Sequence, residues 1–163
     1  MGFERGTKMI LRFLTMGWTY QGRPITEISD MPEGTIGFIY KITNHETGQY
    51  YIGKKSIYAK RTLPPLKGYK RKRKVIKESK WKDYRSSNTA VQLWFLESEA
   101  AKEQNNQDKI NDSLELKILR FCSTPKSLTY YEVEELFQHK VLSEELSLND
   151  NILGKFFRKD LDI

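Results

Sequence analysis

Only one cysteine, Cys122, and two histidines, His45 and His139, occur in the 163 residues. A disulfide framework is therefore excluded, and the distant histidines leave no Cys/His zinc site to assemble. A reducing, intracellular setting is expected. No apolar run approaches the roughly 20 residues that cross a bilayer, so no membrane partner is expected. The segment Met9 to Leu14 is short, is broken by Arg12 and lacks a small-residue cleavage site, so it does not read as a signal peptide. Gly6 stands where a myristoylation start requires Ser or Thr.

What is present is polar: 38% hydrophobic and 30% charged residues, with 12% aromatics to fill a small core. The length suits one domain. Charge is unevenly spread. Between Lys67 and Lys82 lie nine basic residues (Lys67, Lys70, Arg71, Lys72, Arg73, Lys74, Lys77, Lys80 and Lys82) against Glu78 alone. That segment carries +8 of a total of +7, so the rest sums to −1. Such a block repels itself unless a polyanion lies against it, and nucleic-acid phosphate is the expected partner. Tyr69, Trp81 and Tyr84 are interleaved with the cations and offer rings for stacking on bases, or for helix packing.

Gly and Pro punctuate residues 1–35, which read as turns or an extended arm. Gly37 to Thr43 is rich in β-branched and aromatic residues, Asn44 to Gly48 is turn chemistry, and Tyr50 to Gly53 returns as the second strand of a hairpin. Ser56 to Arg61 reads as a short helix stopped by Pro64-Pro65. Asn88 or Thr89 caps a helix to about Lys102, with Val91, Trp94, Phe95 and Leu96 on or near its apolar face. Leu114 to Phe121 alternates with one slip and is a third strand. Ser127 opens a last helix to about Leu142 with Tyr130, Val133, Phe137 and Val141 as its core stripe. The expected fold is α+β: a small, mainly antiparallel three-stranded sheet, hairpin plus later strand, flanked by helices. A domain over 36–155 carries a basic insertion at 63–87, between an arm and a tail at 156–163.

Gly37-Phe38-Ile39-Tyr40, then Tyr51-Ile52-Gly53, then Arg61, resembles the core signature of GIY-YIG endonucleases. Tyr40 to Tyr51 is eleven positions and Tyr51 to Arg61 is ten, spacings usual in that family. The segments Trp18 to Ile25, Tyr51 to Ser56, Trp81 to Tyr84 and Tyr130-Tyr131-Glu132, with Asn149, are similar to a phage-encoded branch. The similarity runs from about Gly17 to Asn151, which leaves Met16 as an alternative start. If the chain is phage-encoded, it belongs in the cytoplasm of a bacterial host.

The resemblance implies hydrolysis of DNA phosphodiesters with a single Mg²⁺ or Mn²⁺. Glu132 is the implied metal ligand, with Glu135 one turn away as its competitor. Arg61 is the implied phosphate-binding arginine on the first helix, while Gly53 and Asn149 support the site. Cleavage needs an activated water and neutralised phosphoryl oxygens. Tyr40 is the expected water-orienting or base group with Tyr51 beside it; a base role requires its pKa to be depressed by Lys54, Lys55 or a metal. Lys55, Lys67, Lys70 to Lys74, Lys77 and Lys80 are the expected DNA contacts. Two departures stand out: Pro65 replaces a family histidine, and Ser86 occupies a family glycine position, where a positive φ would be strained. The alternatives are a catalytically silent nucleic-acid-binding protein of the same fold and a covalent tyrosine strand-transferase. The protein acts as a monomer or a homodimer.

Overall fold

The computed structural model describes residues 17–161; the readings of Met9 to Leu14, Gly6 and Met16 lie outside them. The strands in chain order are Trp18–Tyr20 (β1), Arg23–Pro24 (β2), Gly37–Asn44 (β3), Tyr50–Ser56 (β4), Tyr58–Leu63 (β5), Arg73–Glu78 (β6), Leu114–Cys122 (β7), Asn151–Ile152 (β8) and Phe156–Phe157 (β9). Among the described residues the α-helices are Thr89–Glu103 (α1) and Pro125–Gln138 (α2). Neither is long and apolar enough to cross a membrane.

The fold is α+β, and its sheet is larger than expected. The hairpin β3–β4 and the later strand β7 are present as anticipated, but β1 and β2 extend the sheet beyond β7 to five strands in the order β2-β1-β7-β3-β4, with β4 at an edge. Because β1 runs parallel to β7, the sheet is mixed rather than purely antiparallel. Turn-forming residues around β1 concealed this strand; its anchor is Trp18, buried between Phe38 and Tyr40, with its indole N–H donating to the Trp81 carbonyl at 2.9 Å.

The slip in β7 is a β-bulge. Ile39 pairs with Arg120 and Tyr40 with Ile118, which leaves Leu119 as the extra residue. Leu114, Leu116 and Ile118 thereby face one side of the sheet, while Leu119 joins Cys122 on the other. Strand alternation sorts the core into two layers. Phe38, Tyr40 and Ile42 pack with Trp18, Trp81 and Val91 on the α1 side; Ile39 and Ile52 pack with Leu128 and Leu136 on the α2 side.

Asn88 caps α1, accepting from the backbone N–H groups of Ala90 and Val91. Val91, Ser98 and Ala101 are buried along it, but Leu96 is exposed, contrary to its expected place on the apolar face. Thr124, not Ser127, caps α2; Ser127 is the reciprocal member of the capping box one turn in. The helix also stops at Gln138, and its buried stripe is Leu128 and Leu136. Tyr130 and Phe137, expected in that stripe, are exposed. The four-residue step from Leu128 to Leu136 passes through Glu132, so a carboxylate occupies the middle of the sheet-facing side.

The largest departure concerns Ser56 to Arg61. Good helix formers there suggested a helix, yet Tyr58–Leu63 pairs antiparallel with Arg73–Glu78 from Tyr58↔Glu78 to Leu63↔Arg73. The β-branched pair Val75-Ile76 supplies the partner strand, and pairing overrides the local preference. This hairpin forms its own two-stranded sheet, an arm whose base is fixed by fully buried Ile57 and by the Ser79 N–H donating to the Ile57 carbonyl at 2.8 Å. Ile57→Ala should cost about 2–5 kcal/mol of stability, the range for truncating a core isoleucine. Ile76→Ala on the bare arm should change it by less than about 0.5 kcal/mol. Urea titrations compare the two, and similar losses would mean that the arm packs on the body.

Candidate active site at the edge of the sheet

Gly53 is the residue on which the site's geometry turns. It pairs with Tyr40 across the hairpin, and a Cβ at Gly53 would stand 2.5 Å from the Tyr40 hydroxyl oxygen, 2.8 Å from its Cζ and 3.1 Å from a Tyr51 ring carbon. Both rings therefore occupy the space that any other residue would fill. Gly37 is confined in the same way by the Lys55 carbonyl at 2.7 Å and Leu128 at 2.9 Å.

Tyr40 is almost wholly buried. Its hydroxyl lies 3.4 Å from the Tyr84 hydroxyl and donates to Ser86 Oγ at 3.4 Å. Burial, reinforced by Tyr84, pushes its pKa far above the ordinary phenol value. The depression by Lys54 or Lys55 that a base role requires is absent: Lys54 points to the other face, and Lys55 lies over the Tyr84 ring at 4.4 Å. Tyr51, with its ring 6.4 Å from that of Tyr40, borders an open groove. Burial also raises its pKa, against a hydrogen bond with Ser87.

That groove, about 440 Å³, wraps the free edge of β4 and is lined by Tyr51, Lys54, Ser87, Glu132, Asn149 and Asp150 among others. It thus joins side chains from opposite faces of the sheet. Glu132, 19% exposed, accepts from Lys54 Nζ at 3.1 Å, and the same ammonium donates to Thr129 Oγ1 at 3.0 Å. Glu135 is engaged elsewhere, 3.3 Å from His139 Nδ1. Asn149 closes the β4 edge: its Oδ1 accepts from the Ile52 N–H at 3.0 Å and its Nδ2 donates to the Ile52 carbonyl at 2.8 Å. A buried amide thereby substitutes for a neighbouring strand.

A family model described as "Putative endonuclease segE, GIY-YIG domain" matches residues 18–156. The chain belongs to the GIY-YIG family. No curated protein and no solved structure gives a match. The matched range begins at β1 and ends at β9, so the strands that enlarge the sheet fall within the GIY-YIG domain.

The groove gathers Tyr51, Lys54, Glu132 and Asn149, with Tyr40 and Gly53 immediately behind. Arg61 does not join them: it is exposed at mid-arm, opposite Val75, on a strand rather than a helix. The basic residues Arg73, Lys74 and Lys77 lie on β6, Lys67, Lys70, Arg71 and Lys72 on the arm's loop, and Lys80 beyond its base. Lys55 and Lys80 border a second groove, about 600 Å³, beside Tyr84 and α1.

Several participants were not singled out from sequence. Asp150 adds a second carboxylate to the groove. Arg158, in the expected tail, donates to the carbonyls of Val141, Glu144, Ser147 and Asn149 and so shapes the loop that carries Asn149. Ser86 is buried with φ +76°, the left-handed backbone anticipated for this glycine position. Its hydroxyl offsets that strain by accepting from both Tyr40 and the Asn88 N–H.

Among the described residues no group of three or more His, Cys, Asp or Glu is arranged to hold a metal. The groove nevertheless fits a hydrated Mg²⁺ or Mn²⁺, which takes one or two carboxylates and keeps several waters.

The raised phenols have a pH consequence. Below about pH 10 the tyrosines are protonated in both the folded and the unfolded chain. Above it the unfolded chain releases protons that the folded one retains, so stability should fall as pH rises. Tyr40→Phe should make that decline shallower, as followed by melting temperature between about pH 9 and pH 11. An unaltered decline would mean that the Tyr40 hydroxyl is not buried in solution.

Proposed function

We propose that this protein is a divalent-metal-dependent DNA endonuclease whose single catalytic centre is the groove at the β4 edge. Membership of the GIY-YIG family makes DNA the expected substrate, and GIY-YIG nucleases generally use a divalent metal. The observation that carries the reading is that Glu132 and Tyr51, from opposite faces of the sheet, line one open groove together with Lys54, which is paired to Glu132.

In this reading Glu132 would hold Mg²⁺ or Mn²⁺, with Asp150 as a second carboxylate in the same groove. When bound, the metal supplies Lewis-acid stabilisation of the phosphoryl oxygens. Tyr51 orients the attacking water, because its hydroxyl borders the groove. Tyr40 is a positioning residue, since it is closed to solvent and reaches the site through Tyr84, Ser86 and the Tyr51 ring. Lys54, when released from Glu132, offers its ammonium to a phosphate oxygen. Arg61 and the other arm cations neutralise phosphates flanking the cut. One centre cuts one strand at a time, so a double-strand break requires a second copy or a second encounter.

Plasmid relaxation in magnesium, with a chelator control, tests the proposal. Glu132→Gln keeps the volume and removes the charge; it should abolish cleavage while duplex binding in calcium persists. Cleavage at the wild-type rate would rule out Glu132 as the ligand. Tyr51→Phe should slow cleavage by at least about 10²-fold, the lower range for losing acid–base assistance. Tyr40→Phe should slow it less. The reverse ranking would assign the water to Tyr40 instead.

A further inference from the structure

The arm raises a question that phosphate neutralisation alone does not answer. Register divides the side chains of β5 and β6 between two faces. One face carries Arg61, Arg73 and Lys77 around half-buried Val75; the other carries Lys60, Thr62, Lys74 and Ile76, with Tyr58 and Glu78 at its base, where Glu78 accepts from the Trp81 indole N–H. Ile76 sits opposite Lys60 and is 65% exposed. Lysines along a free ribbon discourage pairing with another chain's strands. Val75 is half-buried on the first face and Ile76 is exposed on the second, so the Ile76 face is the one free to meet a partner.

We propose that the arm enters the major groove of duplex DNA as a two-stranded ribbon, with the Ile76 face toward the base edges. This rests on the reading of DNA as substrate, and the occupant follows from charge complementarity: the segment from Lys67 to Lys82 carries +8. Dimensions select the groove. A ribbon with side chains on both faces is about 10 Å thick, which fits a major groove about 12 Å wide and not a minor groove about 6 Å wide. Each six-residue strand spans about 20 Å, enough to follow several base pairs. Ile76 and the Thr62 methyl suit the thymine methyl group, and Lys60 and Lys74 suit the O6 and N7 acceptors of guanine. The arm also springs from the end of β4, with Ile57 alone between the two strands. A duplex held by the arm therefore meets the strand that carries Tyr51 and Lys54.

Duplexes of one mixed sequence, bound in calcium, provide the test. In one, 7-deazaguanine replaces guanine and removes the major-groove N7; in a second, uracil replaces thymine and removes the methyl group; in a third, hypoxanthine replaces guanine and removes only the minor-groove amino group. The first two should bind at least about fivefold more weakly than ordinary DNA, the lower bound for a lost base contact, and the third should bind equally well. Ile76→Ala should shrink the uracil difference, and Ile76→Ala with Thr62→Ser should erase it, while both leave the salt dependence unchanged. Replacing residues 59–77 by Asn-Gly, the two-residue turn that joins paired strands, removes Lys60, Thr62, Lys74 and Ile76 together and should erase both differences. Equal binding of ordinary, 7-deazaguanine and uracil duplexes by a protein that still cuts plasmid would overturn the ribbon proposal alone. Discrimination that survives in the double variant and in the shortened arm would overturn it as well, by assigning base contacts to another element. Failure to bind or cut any duplex would instead remove the nuclease reading on which the proposal stands.

Discussion

The missing side chain at Gly53 is the constraint on which the site depends. The Tyr40 ring fills the space beside it, and the Tyr51 ring closes over the same gap. With a Cβ in that space the two rings could not pack so closely across one hairpin, and Tyr40 could not reach Tyr84 and Ser86 beneath α1. The close approach also explains why the hairpin can bury a phenol without losing its pairing: the end of the ring occupies the space beside Gly53 that a side chain would take. Gly37, pressed between the Lys55 carbonyl and Leu128, performs the same service for α2 on the other face.

An edge strand gives the arrangement its second property. In the middle of a sheet, residues on opposite faces are separated by backbone. At the free edge of β4, side chains from both faces can border one cleft, so Tyr51 and Glu132 meet there although they belong to different layers of the core. An exposed edge is usually protected. Here the Asn149 amide satisfies one residue's worth of backbone, at Ile52, and leaves the stretch around Lys54 open. Arg158 holds the loop behind that amide, so residues near the end of the chain shape the groove at the β4 edge.

Much of this was legible in the sequence, and the limits have physical causes. The hairpin, its glycines and the third strand were readable because alternation and spacing are local signals, and even the slip in β7 was visible, though its meaning as a bulge at Leu119 needed the register. The left-handed backbone at Ser86 was foreseeable from a family glycine. The strand at Tyr58–Leu63 was not, because its residues favour a helix until β6 pairs with them. Placing Arg61 on a helix failed for the same reason. β1 was missed because three residues carry little periodicity and Trp18 is held by tertiary contacts. The stripe of α2 was misphased because Tyr130 and Phe137 look like core residues, whereas the helix turns Glu132 inward between Leu128 and Leu136. Tyr40 was expected beside Tyr51 across the hairpin, where it lies, but its burial, which argues against a base role, depends on residues 44 and 46 positions away.

The concentration of charge in one projecting element also governs how the molecule travels. With +8 from Tyr58 to Glu78 and −1 over the remainder, the free protein is an electric dipole whose positive end is the arm. In the field of a polyanion such a body turns before it touches, so encounters begin arm-first, and fewer of them are wasted on the wrong face of the protein. Added salt shortens the range over which this turning occurs. Orientation is thus set by the long-range field, before any short-range contact with the polyanion forms.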